Sequence, residues 1–263
     1  GTDQAGTALL AALNGASEAA SIQLIDALGF MAYAPAEGPI RAKAAASDPA
    51  LRRTVFFALS RIGDEASRSV LGEAAAAANY AYEPTQATSA YLNYANALLA
   101  KGAATTASKI AAEVFKGAAN AGQTHTQGAA LALLTTIDPD KQLRDLVKAA
   151  KDEDIAYRNR ALVLLAPHLD GRTAERLVRR LSGEDEPVQV DILRFLGKYG
   201  QPSALPEVRE ALHSGSPDVQ VAAIAALYHL SGETAVPELL ELLPSTDGKV
   251  SRAIQEVLFT SHD

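Results

Sequence analysis

Apolar residues recur through the second half of the chain at a fixed interval of 31 positions. The clearest series runs Leu134, Leu165, Leu196, Leu227 and Leu258. Three positions earlier it reads Leu131, Leu162, Leu193 and Ile224, and Gln255 breaks the series. A second stripe comprises Leu146, Leu177, Val208 and Leu239, followed four positions later by Ala150, Leu181, Leu212 and Leu243. Spacings of three and four are those of a helix face. Each repeat therefore predicts two amphipathic helices, here named A and B.

Proline and glycine mark where these helices begin and end. Pro187 and Pro217 stand at the start of predicted A helices, where a missing N–H group costs least. Pro206 and Pro237 are 31 positions apart, in the predicted first turn of helix B. The connections between helices are two to five residues long, as stacked helix pairs require. The sequence therefore predicts an all-α solenoid.

The first half of the chain repeats less strictly and is much richer in alanine, with 39 alanines in residues 1–131 and 15 in residues 132–263. A helices are predicted over 17–29 and 47–63, and a B helix is predicted to begin at Val70. We expect one array over 1–263, irregular and alanine-rich over 1–125 and regular over 126–263. Because a repeat is cut at both ends, the chain is expected to be a module of a longer protein.

Two stretches carry a resemblance to a known family. One reads Asp-Pro-Ala-Leu-Arg at 48–52, followed by Ala-Leu-Ser-Arg-Ile-Gly at 58–63, and the other reads Ser-Pro-Asp-Val at 216–219. These units resemble the HEAT-repeat superfamily in its short bacterial form, which also occurs in phycobilin lyases. The resemblance implies a right-handed superhelix of about seven to eight HEAT-like helix pairs. The family's arginine in helix A is present as Arg52 and Arg158, whereas Gln189 and Gln220 stand near that place in later repeats.

A narrower resemblance rests on Asn-Tyr-Ala-Tyr-Glu-Pro-Thr at 79–85 followed by Ser-Ala-Tyr-Leu at 89–92. This stretch resembles exported Bacteroidetes proteins in which a HEAT-like array precedes a lectin-like domain of the 3-keto-glycoside hydrolase type. It implies a periplasmic or secreted protein whose catalytic domain lies beyond residue 263. A cytoplasmic location is the alternative.

Residue types that carry catalysis or bind metals are sparse. The chain has no cysteine, and its five histidines are never three or four positions apart, so no helix face offers two imidazoles to a metal. The acidic runs at 152–154 and 184–186 lie where A helices begin and are expected to cap them. We therefore predict no catalytic residue, no metal and no cofactor in this chain. The net charge of −7 disfavours a nucleic-acid partner, and no apolar run is long enough to span a membrane.

Two features suggest a binding surface. The first is a tyrosine-rich segment that comprises Tyr80, Tyr82, Glu83, Tyr91 and Tyr94. Tyrosine combines an apolar ring with a polar tip, which favours interfaces and sugar stacking. The alternative is that these rings fill space left by the neighbouring alanines.

The second feature is a change of charge along the B helices. One series of equivalent positions reads Lys148, Arg179, Glu210 and Glu241, and one turn earlier it reads Asp145, Arg176, Glu207 and Glu238. The predicted helix over 172–181 also carries Arg172 and Arg180, so the surface is expected to pass from basic near 140–180 to acidic near 205–241. A surface graded in this way orients a protein partner, although charges also serve simply to keep a helix face solvated.

The expected function is a non-catalytic scaffold that binds a protein or another domain of the same chain. A region of a carbohydrate-active enzyme with its catalytic domain elsewhere is the alternative, and a HEAT-like lyase is a third hypothesis.

Overall fold

The computed structural model describes residues 2–243 and 248–260, and its regular elements there are all helical. The chain divides into two compact units, Gly1–Asp138 and Pro139–Asp263. Unit 1 contains α1 Thr2–Leu13, α2 Glu18–Phe30, α3 Glu37–Arg41, α4 Pro49–Ile62, α5 Glu65–Ala77, α6 Ala87–Ala100, α7 Ala104–Asn120 and α8 Thr124–Ile137. Unit 2 contains α9 Pro139–Ala149, α10 Ile155–Leu165, α11 Gly171–Val178, α12 Glu186–Tyr199, α13 Leu205–Ala211, α14 Pro217–Ser231, α15 Val236–Leu242 and α16 Gly248–Thr260.

Odd-numbered helices are B helices and even-numbered helices are A helices. Each B helix contacts the A helix that follows it, which makes four B–A pairs in each unit. Successive A helices also contact one another within a unit, for example α2 with α4 and α12 with α14. The predicted all-α solenoid is confirmed in this arrangement, because within each unit the helix pairs stack on their neighbours and bury their apolar faces.

The leucine series found in the sequence forms the core of unit 2. Leu165, Leu196 and Leu227 on the A helices are fully buried, as are Leu177 and Leu239 on the B helices. Unit 1 is packed more closely by small residues. A side chain at Gly29 of α2 would place its Cβ 2.7 Å from the Cα of Ala58 on α4, so these two helices approach within backbone contact.

In the described part of the chain, six helices begin with a side-chain cap. The side chains of Ser17, Asp48 and Asp154 accept hydrogen bonds from backbone N–H groups in the first turns of α2, α4 and α10. Proline stands in the first turn of α12 through α15, as the sequence predicts. One expectation is wrong in its detail, because Asp185 at the start of α12 makes no capping hydrogen bond with its side chain. In the same acidic run, Glu184 instead pairs with Lys151 at 3.0 Å.

Two predicted boundaries are corrected by the structure. Helix α5 begins at Glu65, five residues before Val70, because the Asp64 side chain accepts a hydrogen bond from the N–H of Ser67 and caps an earlier turn. Helix α11 ends at Val178 rather than at residue 181. The backbone leaves the helix at Arg179, whose ψ is 119°, and the φ of 61° at Arg180 prevents the helix from resuming.

Candidate functional site

The two tyrosines of α6 lie in the core of unit 1. Tyr91 and Tyr94 are each 2% exposed, and their hydroxyl groups donate to Glu113 Oε2 at 3.1 Å and to the carbonyl of Asp64 at 2.8 Å. Burial, together with the charge of Glu113, raises the pKa of Tyr91 to about 12. Of the two interpretations of these rings, the space-filling one describes their positions.

Tyr80 and Glu83 fix the loop that joins α5 to α6. A Cβ at Gly117 of α7 would lie 2.1 Å from the Tyr80 ring, so that ring packs directly on the glycine. The Tyr80 carbonyl accepts a hydrogen bond from Thr126 Oγ1 at 2.8 Å. Glu83 accepts from the backbone N–H groups of Thr85 and Ala87 at the start of α6. Burial alone would raise the pKa of Glu83, but these hydrogen bonds and the one from the Thr85 hydroxyl outweigh it and lower that pKa.

Tyr82 is the one member of the tyrosine-rich segment whose ring stands in solvent, with 77% of its surface exposed. The loop around it is conformationally constrained, since Asn79, Tyr80 and Gln86 all have positive φ angles between 50° and 55°. Non-glycine residues hold such angles only where surrounding contacts enforce them. The loop therefore presents Tyr82 from a fixed backbone.

The four predicted arginines of unit 2 extend from the first turn of α11 to just beyond its last residue. Arg172 and Arg176 are on the helix, whereas Arg179 and Arg180 follow its last residue. All four side chains are exposed. In the part of the chain that the structure describes, none of these guanidinium groups forms an ion pair with a carboxylate. The arginines thus form an exposed basic patch on one B helix.

The predicted glutamates lie on the next two B helices. Glu207 and Glu210 are on α13, and Glu238 and Glu241 are on α15. Glu238 forms an ion pair with Arg209 at 3.0 Å. Among residues 2–243 and 248–260, the other three carboxylates have no cationic partner. We call these four arginines and four glutamates the graded B surface.

A cleft of about 450 Å³ opens within this surface, between the end of α11 and α13. It is lined by Arg180, Gln189, Glu207, Glu210 and His213, among others. Sequence reasoning found three of these residues and missed Gln189 and His213. Gln189 stands 31 positions after Arg158, so the repeat marked its position as equivalent to that of the family's arginine. His213 follows the end of α13 and carries no comparable signal.

Within the described ranges, no group of three or more histidine, aspartate or glutamate side chains is arranged to hold a metal ion. Over the same residues, no helix has the length and apolar character that crossing a membrane requires.

The stacked helix pairs define the class of this protein as an all-α repeat protein. Residues 174–258 match the family model of HEAT repeats. This segment, which covers α12 to α15 with parts of α11 and α16, is about a third of the chain and is therefore similar to HEAT repeats.

Solved structures show the same fold at low sequence identity. A triple mutant of Kap121p is 14% identical with a TM-score of 0.64, and 98% of this chain aligns with 33% of that one. A second Kap121p structure gives 14% identity and a TM-score of 0.61 over the same shares. This chain thus spans about a third of Kap121p. Human deoxyhypusine hydroxylase in complex with glycerol is 14% identical, over 99% of this chain and 97% of that one, with a TM-score of 0.41. No curated protein sequence matches the chain.

Proposed function

We propose that this chain is a non-catalytic HEAT-like scaffold, and that it binds a protein, or another domain of the same chain, through the graded B surface of unit 2. The observation that carries the proposal is the set of four exposed arginines that form no ion pair in the described part of the chain, two of which, Arg176 and Arg179, are followed by glutamates at the equivalent positions of the next two repeats. An isolated repeat protein gains little stability from charges that have no partner. Such charges on neighbouring elements are, however, well suited to steering and orienting a partner of complementary charge.

The order of charge along the surface specifies the polarity of the partner. The part of the partner that faces α11 carries acidic residues, and the part that faces α13 and α15 carries basic residues. A protein partner is favoured over nucleic acid, because a phosphate backbone attracted by the arginines would meet the four glutamates in the adjoining repeats. The net charge of −7 also disfavours a nucleic-acid partner.

The remaining parts of the functional hypothesis come from the two family resemblances found in the sequence. These are the bacterial origin, the periplasmic or secreted location, and a carbohydrate-active domain beyond residue 263. They stay predictions, as does the single continuous array over 1–263.

A photo-crosslinking experiment tests the proposed function. A photoreactive amino acid is placed at Arg176 on α11 or, as the matched control, at Arg160 on α10 of the same repeat, in the full-length protein expressed in its own cells. Both arginines are exposed, and in the described part of the chain neither forms an ion pair. We expect a discrete adduct with one protein, or within the same chain, from position 176 and none from position 160. Equal adducts from both positions, or none from position 176, would overturn the proposal.

A further inference from the structure

The cleft between α11 and α13 contains charges of both signs that do not neutralise one another. Arg180 lies on one side, and Glu207 and Glu210 lie on the other, one turn apart on α13. All three line the cleft, yet in the residues that the structure covers no ion pair links the guanidinium to either carboxylate. Opposite charges that share a cleft without meeting leave room for a bridging ligand that satisfies both.

The backbone holds Arg180 at the edge of this cleft. Its φ of 61° lies in the left-handed region, which a non-glycine residue occupies only if its neighbours enforce it. Here the next residue, Leu181, is buried in the core, and the Arg180 carbonyl accepts a hydrogen bond from the N–H of Gly183 at 3.0 Å. The arginine is therefore presented from a fixed backbone position.

The floor and the opposite rim of the cleft are also fixed. The Gln189 side-chain amide donates to the carbonyl of Glu184 at 2.7 Å, and the Gln220 amide donates to the carbonyl of Leu212 at 3.1 Å. These two bonds tie down the chain segments that precede α12 and α14. A volume of about 450 Å³ falls within the range of ligand sites in proteins and admits the side chains of a short peptide.

We propose that this cleft binds a peptide segment that carries a carboxylate and a cationic side chain a few residues apart. The segment's carboxylate bonds to the Arg180 guanidinium, and its lysine or arginine lies between Glu207 and Glu210. This proposal rests on the proposed function, because it names the part of the partner that enters the graded B surface. It gives the partner segment a direction, with the acidic residue toward α11 and the basic residue on α13.

Titration of the isotopically labelled full chain with synthetic peptides, followed by NMR, tests the inference. The probe is a series of capped peptides with an aspartate and a lysine separated by one to three glycines. Two matched peptides carry one charge only, with asparagine in place of the aspartate or glutamine in place of the lysine. We expect saturable shifts at residues 180–183 and 207–215. The best peptide with both charges should bind about threefold to tenfold more tightly than either matched peptide.

Two variants of the chain then locate the contacts. Arg180→Asn removes the charge and retains a residue that tolerates a positive φ. The double variant Glu207→Gln/Glu210→Gln removes the two carboxylates without changing their size. Each variant should abolish the advantage of the peptide with both charges. Glu233→Gln, an exposed carboxylate between α14 and α15 that belongs neither to the cleft nor to the graded B surface, should leave the affinity unchanged.

The inference is overturned if the three kinds of peptide bind alike, if none binds, or if the shifts map outside the cleft. Failure of the proposed function is distinguishable from this result. If position 176 crosslinks to a partner while the peptides ignore the cleft, the scaffold function stands and the cleft assignment falls. If the peptides bind in the cleft and no adduct forms at position 176, the cleft assignment is supported and the proposed scaffold function is contradicted.

Discussion

At the scale of single residues, one position in helix A of successive repeats of unit 2 forms a hydrogen bond to the preceding loop. Arg158 is 1% exposed and donates to Asp191 on the next A helix at 2.6 Å, as well as to the carbonyl of Asp152 at 2.7 Å. The residues 31 and 62 positions further on are Gln189 and Gln220, and each donates its amide to a carbonyl in the preceding loop. Gln189 and Gln220 therefore form a hydrogen bond to the preceding loop, as Arg158 does, but they lack the charge with which Arg158 pairs with Asp191.

Replacing Arg158 by methionine should destabilise unit 2 by about 2–4 kcal/mol. The substitution leaves the Asp191 carboxylate and a loop carbonyl without their donor, and the loss of one partner of a buried ion pair is costly. The estimate lies below the full cost of a buried pair because the Asp191 side chain is 22% exposed. Urea unfolding measures the free energy, and amide hydrogen exchange shows whether the loss is confined to α10 and α12.

Arg209→Met is the matched control for this substitution. Arg209 also pairs with a carboxylate of the next repeat, Glu238, but its side chain is 48% exposed. Its loss should cost less than about 1 kcal/mol. Similar effects of the two substitutions would mean that the Arg158 pair is an ordinary surface contact.

At the scale of elements, the loop over 78–86 is held by contacts from three helices. Tyr80 packs on Gly117 of α7, its carbonyl is bonded by Thr126 of α8, and Glu83 caps α6. The exposed Tyr82 ring is carried by this loop and depends on the same contacts.

The substitution Gly117→Ala should destabilise unit 1 by about 1–3 kcal/mol. Alanine normally favours a helix over glycine by about 1 kcal/mol, but here the new Cβ would have to expel the Tyr80 ring. Gly171→Ala at the start of α11 is the control, since its added Cβ would meet only the Ser203 side chain at an ordinary contact distance of 3.4 Å, and it should be neutral or slightly stabilising. Thermal unfolding of the two variants measures the difference. In a Tyr80→Ala background the penalty at position 117 should disappear, and equal stability of the two single variants would contradict the packing described here.

The regular repeat predicts the helices of unit 2 well, because apolar residues at a constant spacing identify the same buried helix face in every repeat. Leu165, Leu196 and Leu227 are buried as the series requires. The start of α5 was missed because alanine and serine give a weak apolar pattern there, and the cap at Asp64 carries the signal. The end of α11 was missed because no glycine marks the left-handed residue at Arg180.

The candidate site was predictable only in part. The residues of the graded B surface follow directly from the repeat, since equivalent positions of neighbouring helices fall in one row. The burial of Tyr91 and Tyr94 was one of two interpretations that the sequence left open. Tyrosine serves both cores and interfaces, so the packing of α6 against α5 and α7 decides between them.

At the scale of the whole molecule, stability and binding have different origins. Each helix pair is stabilised by contacts with its immediate neighbours, as expected for a repeat protein. The graded B surface adds little to this stability, because its charges are exposed and mostly unpaired. Changes on this surface should therefore alter binding without unfolding the chain.

The most direct test of this account compares two charge reversals in their affinity for the protein crosslinked at position 176. If that adduct forms within the same chain, the comparison uses the attached domain prepared separately. One variant is Arg176→Glu/Arg179→Glu on the graded B surface, and the other is Arg160→Glu/Arg194→Glu on the A helices α10 and α12. Both variants change the net charge equally and replace exposed arginines. We predict that the first weakens binding by about tenfold or more, whereas the second changes it by less than about twofold at the same ionic strength. Equal losses of affinity from the two variants would contradict the assignment of binding to the B helices of unit 2.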